Sequence, residues 1–131
     1  MNELTKKAQK VLEDKEQILF AYLFGSTARG EHNALSDIDL AVYFHGDVDL
    51  ITEKLNLLGD LVDQMGTDCL DLVILNTAPL SLAARILRAR EILVDRNPFM
   101  RHRYESLVMR EFFDFSILET LILNRRYAHG R

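Results

Sequence analysis

Three short apolar runs constrain the fold of this chain more than any other feature. They cover residues 18–24, 38–44 and 70–75, and the first stops at Gly25. A run that is apolar almost throughout, and only five to seven residues long, is typical of a β-strand covered on both faces. Together with the helical patterns between them, these runs predict a single α/β domain.

Helical patterns lie between and beyond these runs. We predict helices over residues 2–15 and 79–90 and a short fourth strand over residues 91–94. A longer helix is expected to begin after an N-cap at Asp47 and to end near Met65. The apolar stripe of this helix is expected to be buried, and it consists of Val48, Ile51, Leu55, Leu58, Val62 and Met65.

The last segment, residues 99–127, contains neither glycine nor proline and is predicted to form one long helix. One apolar face is formed by Tyr104, Val108, Phe112, Phe115, Leu118 and Ile122, and a second by Leu107, Phe113, Ile117 and Leu121. A helix that is apolar on two faces needs additional cover. Deeper packing in the core would supply it, but we favour contact with another subunit or a partner protein.

Length and composition set further limits. The 131 residues predict one domain over 1–131, with a core at about 15–96 and a C-terminal helical segment at about 97–128. The net charge of −4 argues against a long nucleic-acid partner. The sequence lacks a signal peptide and an apolar run of the ~20 residues that span a bilayer, so we expect a cytoplasmic protein without membrane contact. The single cysteine, Cys69, is expected to be a small buried hydrophobic residue.

Asp37 and Asp39 open the second apolar run. Residues two apart on a strand point to the same side, so the two carboxylates would repel each other. A divalent cation would relieve this repulsion, and hard oxygen ligands suit Mg²⁺ or Mn²⁺. Two solvated carboxylates at the start of a strand are the simpler alternative.

Asp71 strengthens the metal hypothesis because it lies inside the third apolar run, where a lone charge is destabilising. If the second and third strands are neighbours, three carboxylates converge and can hold two cations for displacement at phosphorus. Asp68 competes for this third position, but it lies at the margin of the run. We therefore predict Asp37, Asp39 and Asp71 as catalytic metal ligands.

Gly25 and Ser26 end the first strand, with ten residues between them and Asp37. Glycine allows close approach of the backbone to phosphate, and the Ser26 hydroxyl is an anion donor. Arg29 could bind phosphate or orient the acceptor, although a solvated arginine is equally consistent with its position.

The sequence resembles the minimal nucleotidyltransferase branch of the DNA polymerase β-like superfamily. Gly25-Ser26, the Asp37-Ile38-Asp39 segment and the later Asp71 carry this resemblance. It implies a small mixed sheet flanked by helices, ATP as donor, magnesium held by the three aspartates, and Gly25 and Ser26 on the β- and γ-phosphates. It also suggests that Asp71 accepts the acceptor proton.

Members of this branch resemble antitoxins that transfer AMP to a tyrosine of a HEPN-domain ribonuclease toxin, which would be the partner here. Two alternatives stay open. The first is a small-molecule adenylyltransferase of the aminoglycoside type, which normally needs a further domain. The second is an antitoxin that binds its toxin without catalysis. Arginines concentrate in the second half of the chain, and we expect most of them to be solvated; they include Arg85, Arg88, Arg90, Arg96, Arg101, Arg103 and Arg110.

Overall fold

The computed structural model describes residues 3–25 and 37–129, with side chains as far as residue 125. Four helices and four strands form within these residues. In chain order they are α1 (Glu3–Glu13), β1 (Ile18–Phe24), β2 (Ile38–Phe44), α2 (Leu50–Met65), β3 (Leu70–Ile74), a 3-10 turn (Leu75–Thr77), α3 (Leu80–Arg88), β4 (Glu91–Asp95) and α4 (Pro98–His129). Residues 26–36, between β1 and β2, lie outside the described residues.

The four strands form one mixed sheet in the order β3-β2-β1-β4. Strand β1 pairs antiparallel with both β2 and β4, whereas β2 and β3 run parallel. The predicted small mixed sheet flanked by helices is therefore confirmed. The parallel pair is the part that matters for the site, because it aligns the starts of β2 and β3 at the same end of the sheet.

Helices cover both faces of the sheet, and alternate strand residues point to the two helical layers. Leu40 and Val42 of β2 point into the cluster that contains α1 and α2, whereas Ala41 and Tyr43 point toward α3 and the start of α4. Phe20 and Tyr22 of β1 are fully buried on this second side. The prediction of strands covered on both faces is confirmed for β1 and β2. Strand β3 forms as well, but one of its faces is open, because Asp71 is exposed and Val73 is half-buried.

Helix α2 departs from the prediction at its start and in its buried face. Its N-cap is Asp49 rather than Asp47, and the Asp49 carboxylate accepts a hydrogen bond from the Ile51 N–H at 3.2 Å. The buried residues are Leu57, Leu61 and Met65. Two members of the predicted stripe are instead exposed, Ile51 by 74% and Leu55 by 63%. Leucines on adjoining faces of α2 fit more than one stripe, and only packing selects between them.

Cys69 is exposed, so the prediction of a buried cysteine is wrong. The residue lies just before β3, where its carbonyl accepts a hydrogen bond from the Ile38 N–H at 3.1 Å. Strand β3 is the last strand on its side of the sheet, which leaves a residue at its entrance without a covering layer. An apolar neighbourhood in sequence therefore did not produce burial here.

Helix α4 packs on the rest of the chain only through its first turns. Val108 is buried and Tyr104 and Phe112 are half-buried, but every side chain from Phe113 to residue 125 is exposed. Deeper packing in the core, the alternative to a partner contact, is absent from this described part of α4. None of the described helices is long and apolar enough to cross a membrane.

Candidate active site

Asp39 and Asp71 occupy matching positions on neighbouring strands. They are direct partners in the parallel ladder between β2 and β3. Side chains two apart share a face of a sheet, so Asp39 lies on the same side as Ala41, and Asp71 on the same side as Val73. Both of those residues belong to the cluster beneath α3 and α4. The two carboxylates therefore adjoin on one face, as the sequence predicts.

Asp37 completes the acidic group. It is exposed and lies immediately before β2, whereas Asp39 is half-buried. Burial raises the pKa of the Asp39 carboxyl above its usual value, and the negative charges of Asp71 and Asp37 raise it further. Asp71 and Asp37 therefore both act electrostatically on Asp39, although Asp71 is exposed, as Asp37 and Asp68 are.

The chemistry of this group fits a hard divalent cation. Carboxylate oxygens are the preferred ligands of Mg²⁺ and Mn²⁺, and a cation would remove the repulsion that raises the Asp39 pKa. As they stand, however, no three Asp, Glu, His or Cys side chains within residues 3–25 and 37–129 are arranged closely enough to hold an ion. Mutual repulsion gives a physical reason for the separation, because each carboxylate gains by turning toward water.

Gly25 lies against the same carboxylate from the side of β1. The preceding residue, Phe24, is the ladder partner of Asp39, and Gly25 has a φ of 73°. A Cβ built on Gly25 would overlap Oδ2 of Asp39. Glycine at this position therefore leaves room for the Asp39 carboxylate. A second reason for glycine, evident from the sequence, is the close approach of the backbone to phosphate. Ser26 and Arg29, the other two predicted binding residues, lie outside the described residues.

Among the described residues, Arg85 on α3 is a positive charge that acts on Asp39. It opposes the rise in the Asp39 pKa that burial and the other carboxylates produce. Arg85 is exposed and lines a cavity of about 470 Å³ with Ser81, Arg88 and Phe112. From the sequence, Arg85 is one of seven arginines in the second half of the chain, and nothing distinguishes it from the other six. Its proximity to Asp39 depends on how α3 packs across the sheet, and no local pattern signals that packing.

Five of the seven arginines are exposed, as predicted for most of them, but Arg90 and Arg101 are structural. Arg90 donates to Glu105 at 2.7 Å, and Arg101 pairs with Glu105 and with Asp95, each at 3.1 Å. Tyr22 of β1 donates its hydroxyl to the same Glu105 at 2.7 Å. These contacts attach the start of α4 to the sheet, so the affected arginines are not free to bind phosphate.

Comparison with known families identifies the chain. The family model described as "Polymerase beta, Nucleotidyltransferase" matches residues 6–99. This chain belongs to the polymerase β nucleotidyltransferase family. The match includes all the described candidate site residues, and it confirms the superfamily that Gly25, Asp37, Asp39 and Asp71 indicated.

Individual relatives of this nucleotidyltransferase agree with the family. A Methanocaldococcus jannaschii protein named "Putative protein adenylyltransferase" is 46% identical over 44 residues, which are 34% of this chain and 44% of the relative. The match thus spans less than half the length of that relative. A toxin–antitoxin crystal structure with AMP-PNP superposes with a TM-score of 0.75 at 24% identity, covering 92% of this chain and 95% of the other.

A further solved structure shares the fold of this nucleotidyltransferase. It is described as a tri-AMPylated Shewanella oneidensis HEPN toxin in complex with MNT antitoxin. The superposition has a TM-score of 0.68 at 19% identity and covers 93% of this chain and 97% of the other. The overall fold is therefore shared with that structure.

Proposed function

We propose that this nucleotidyltransferase transfers AMP from ATP to a tyrosine hydroxyl of a HEPN-domain ribonuclease toxin and thereby acts as its antitoxin. The observation that carries the proposal is the pairing of Asp39 with Asp71 across the β2–β3 ladder, with Gly25 against Asp39. Membership of the polymerase β family supports nucleotidyl transfer as the chemistry. The solved structures with AMP-PNP and with an AMPylated HEPN toxin support the donor and the acceptor.

Each site residue has a role in this reaction. Asp37, Asp39 and Asp71 would hold magnesium, which neutralises negative charge on the phosphates during the transfer. Gly25 and Ser26 receive the β- and γ-phosphates, and Arg29 assists on the phosphate or acceptor side. The proton of the acceptor hydroxyl passes to the Asp71 carboxylate. The freed oxygen bonds to the α-phosphorus, the bond from that phosphorus to the bridging oxygen breaks, and pyrophosphate leaves.

The exposed part of α4 supports a protein partner. Phe113 is 65% exposed and Leu121 is 61% exposed, on a helix whose side chains from Phe113 to residue 125 are all exposed. Apolar side chains gathered along one segment mark a surface for another protein. This surface also favours the second candidate function, in which the chain neutralises a toxin by covering it and transfers nothing.

One experiment separates these functions. The purified protein is incubated with ATP, Mg²⁺ and a HEPN-domain ribonuclease toxin, the proposed partner, and the intact mass of the toxin is measured. We expect the mass to rise by whole AMP units and ribonuclease activity to fall. The Asp39→Asn and Asp71→Asn variants should abolish the mass change, whereas Asp68→Asn, an exposed neighbour outside the acidic group, should leave it intact.

The remaining outcomes have distinct meanings. Neutralisation without any change in toxin mass, equal in wild type and Asp39→Asn, would establish the covering mechanism and reject the transferase. A small-molecule acceptor would appear as AMP transfer to an aminoglycoside with the toxin mass unchanged. Equal loss of transfer in Asp68→Asn and Asp71→Asn would remove the assignment of Asp71 as the third ligand.

A further inference from the structure

A cavity between α3 and α4 combines positive charge with an aromatic ring. It has a volume of about 470 Å³ and is lined by Ser81, Leu82, Arg85, Arg88 and Phe112. The Arg88 guanidinium lies over the Phe112 ring, 5.3 Å from its centroid, and this contact holds Arg88 at the cavity. We call it the arginine cavity.

Two contacts place the arginine cavity beside the acidic group. Leu82 also lines the cavity that Asp71 borders, so the two cavities share a wall. Arg85 lies close enough to Asp39 to oppose the rise in pKa that burial and the other carboxylates give this residue. The arginine cavity therefore adjoins the acidic group on the α3 side of the sheet.

The ladder pairing of β4 determines where α4 begins. Glu91, at the start of β4, pairs with Leu23, one residue before the ladder partner of Asp39. Asp95, at the end of β4, pairs with Phe20. Strand β4 thus begins near the acidic group and ends at the opposite end of the sheet, and α4 starts from that opposite end.

From there α4 returns along the sheet toward the acidic group. The Tyr104 ring packs against the Phe20 ring, with 5.7 Å between their centroids. Phe112 is ~12 Å further along the helix at ~1.5 Å per residue, and Phe24 is ~13 Å further along β1 at ~3.3 Å per residue. Phe112 is therefore about level with the end of the sheet that carries the acidic group, and the exposed turns from Phe113 onward continue from there.

The two arginines of the cavity are exposed and have no acidic partner in the part of the chain that the structure describes. Arg90 and Arg101 pair with Glu105, whereas none of the described carboxylates forms an ion pair with Arg85 or Arg88. The whole chain has a net charge of −4. Two unpaired guanidinium groups beside the acidic group thus form a local surface that attracts negative charge.

We propose that Arg85 and Arg88 bind an acidic peptide segment of the acceptor protein, next to the residue whose hydroxyl receives AMP. The inference rests on the proposed function and deepens it, because it assigns the acceptor an acidic flanking sequence. Clusters of arginine recognise acidic motifs through charge-assisted, bidentate hydrogen bonds to carboxylates. A partner held on the exposed turns of α4 would reach the acidic group across the arginine cavity.

The position of the cavity favours the acceptor over the donor ATP. Phe112 closes the cavity on the α4 side, and the next residue, Phe113, begins the exposed apolar surface that the partner is proposed to cover. The cavity is thus continuous with that surface, whereas the phosphates of ATP are proposed to lie at the bend after Gly25. Arg85 would also offset the repulsion between an acidic segment and the Asp39 carboxylate.

The first test compares two double variants that remove the same charge. Arg85→Gln with Arg88→Gln should raise the KM for the HEPN toxin about tenfold, because two charge pairs at an exposed surface are lost. Lys6→Gln with Lys7→Gln, exposed on α1 at the other face of the sheet, should change this KM by less than about twofold. Both double variants should bind AMP-PNP within about twofold of the wild type.

Peptide binding without ATP tests the subsite separately from the transfer. The probes are two synthetic peptides with a single tyrosine, flanked in one by glutamates and in the other by glutamines. By fluorescence anisotropy, the wild type should bind the glutamate peptide about tenfold more tightly than the glutamine peptide. This preference should disappear in the double arginine variant and at high salt, which screens exposed charges.

Each outcome decides between the subsite and the proposed function. A preference for the glutamate peptide without AMP transfer to the toxin would reject the proposed function while supporting the subsite. Loss of AMP-PNP affinity in the double arginine variant, with equal binding of the two peptides, would overturn the inference and assign the arginines to the donor. Equal KM in the two double variants, again with equal binding of the two peptides, would overturn it as well.

Discussion

The backbone of Gly25 lies so close to the Asp39 carboxylate that a side chain at position 25 would overlap Oδ2. The bend after β1 and the carboxylate on β2 are therefore one structural unit. The bend is proposed to receive the phosphates of ATP, and the carboxylate is proposed to hold magnesium. A change on either side of this contact would disturb the other.

Replacement of Gly25 by alanine should separate backbone strain from this specific contact. Gly25 and Gly66 have nearly equal φ values, 73° and 70°, but a Cβ on Gly66 would meet nothing within 4 Å. Each substitution should cost about 1–2 kcal/mol of stability, because alanine disfavours the left-handed region. Gly25→Ala should also displace Asp39 and lower AMP transfer by about a hundredfold. Equal activity in the two variants, measured by toxin mass, would show that the contact is unimportant.

Removal of one carboxylate should stabilise the protein while it abolishes transfer. Burial and the charges of Asp71 and Asp37 raise the pKa of Asp39 in the folded state. The folded protein thus retains a proton that the unfolded chain releases, and its stability declines as pH rises above the usual aspartate range. At neutral pH without metal, the free energy of unfolding of Asp71→Asn should therefore exceed that of the wild type by ~0.5 kcal/mol after solvent screening. Its melting temperature should be correspondingly higher.

Added Mg²⁺ should reverse that order. A ligand that binds only the folded state raises the melting temperature by an amount that grows with the logarithm of its affinity, and the wild type retains all three carboxylates. Calorimetry with and without Mg²⁺ measures both effects. If Asp71→Asn melted lower than wild type in the absence of metal, repulsion among these carboxylates would not be the dominant interaction.

Glu105 should be the most sensitive position of the first turns of α4. Burial raises its pKa, but hydrogen bonds from Arg90 and Tyr22 outweigh burial and hold the pKa below the usual value. The Glu105 side chain is only 14% exposed. Glu105→Gln should cost about 3 kcal/mol, because it leaves the half-buried Arg90 without its charged partner and Arg101 with Asp95 alone. The matched control is Glu111→Gln, which is exposed on the same helix and should change stability little.

The pH dependence of this effect has a definite sign. Because the folded pKa of Glu105 is depressed, its contribution to stability is present above the usual glutamate range and is lost as pH falls through the folded pKa. Chemical denaturation at neutral and acidic pH should show the wild type and Glu105→Gln converging at low pH. A constant difference across that range would mean that the ionised form of Glu105 is not what stabilises α4.

Charged substitutions on the exposed part of α4 should abolish partner binding without affecting the fold. Leu118 and Leu121 are 56% and 61% exposed and make no contribution to the core. Leu118→Asp with Leu121→Asp should weaken toxin binding in titration calorimetry by about 2–4 kcal/mol, the range of interface hot spots. Glu119→Gln, between them on the helix, serves as the control. Unchanged affinity in the double variant would place the partner surface elsewhere.

The strands and their acidic residues could be predicted from sequence because their signals are local. The first two strands have the predicted bounds, because Gly25 ends the first apolar run and His45-Gly46 ends the second. The sequence favours Asp71 as a site residue because a buried charge in an apolar strand is costly, but in the structure Asp71 is exposed. Its ladder pairing with Asp39 then followed once β3 lay beside β2.

What sequence could not supply depends on packing between distant segments. The exposure of Ile51 and Leu55 follows from which side of α2 meets the sheet, and the exposure of Cys69 from β3 being an edge strand. The pairing of Glu105 with Arg90 and Tyr22 joins residues up to 83 positions apart. The shift of the N-cap from Asp47 to Asp49 arose because both aspartates precede the same apolar pattern.

Helix α4 is a stiff rod that is clamped only at its base. From Phe113 to His129 it extends ~25 Å at ~1.5 Å per residue. Glu105, Arg90 and Tyr22 hold the clamped end. A tilt of ~5° at that clamp would move the far tip by ~2 Å, by simple leverage over this length. Changes at Glu105, Arg90 or Tyr22 would thus alter the position of a protein docked on the tip relative to the acidic group, without direct contact between them.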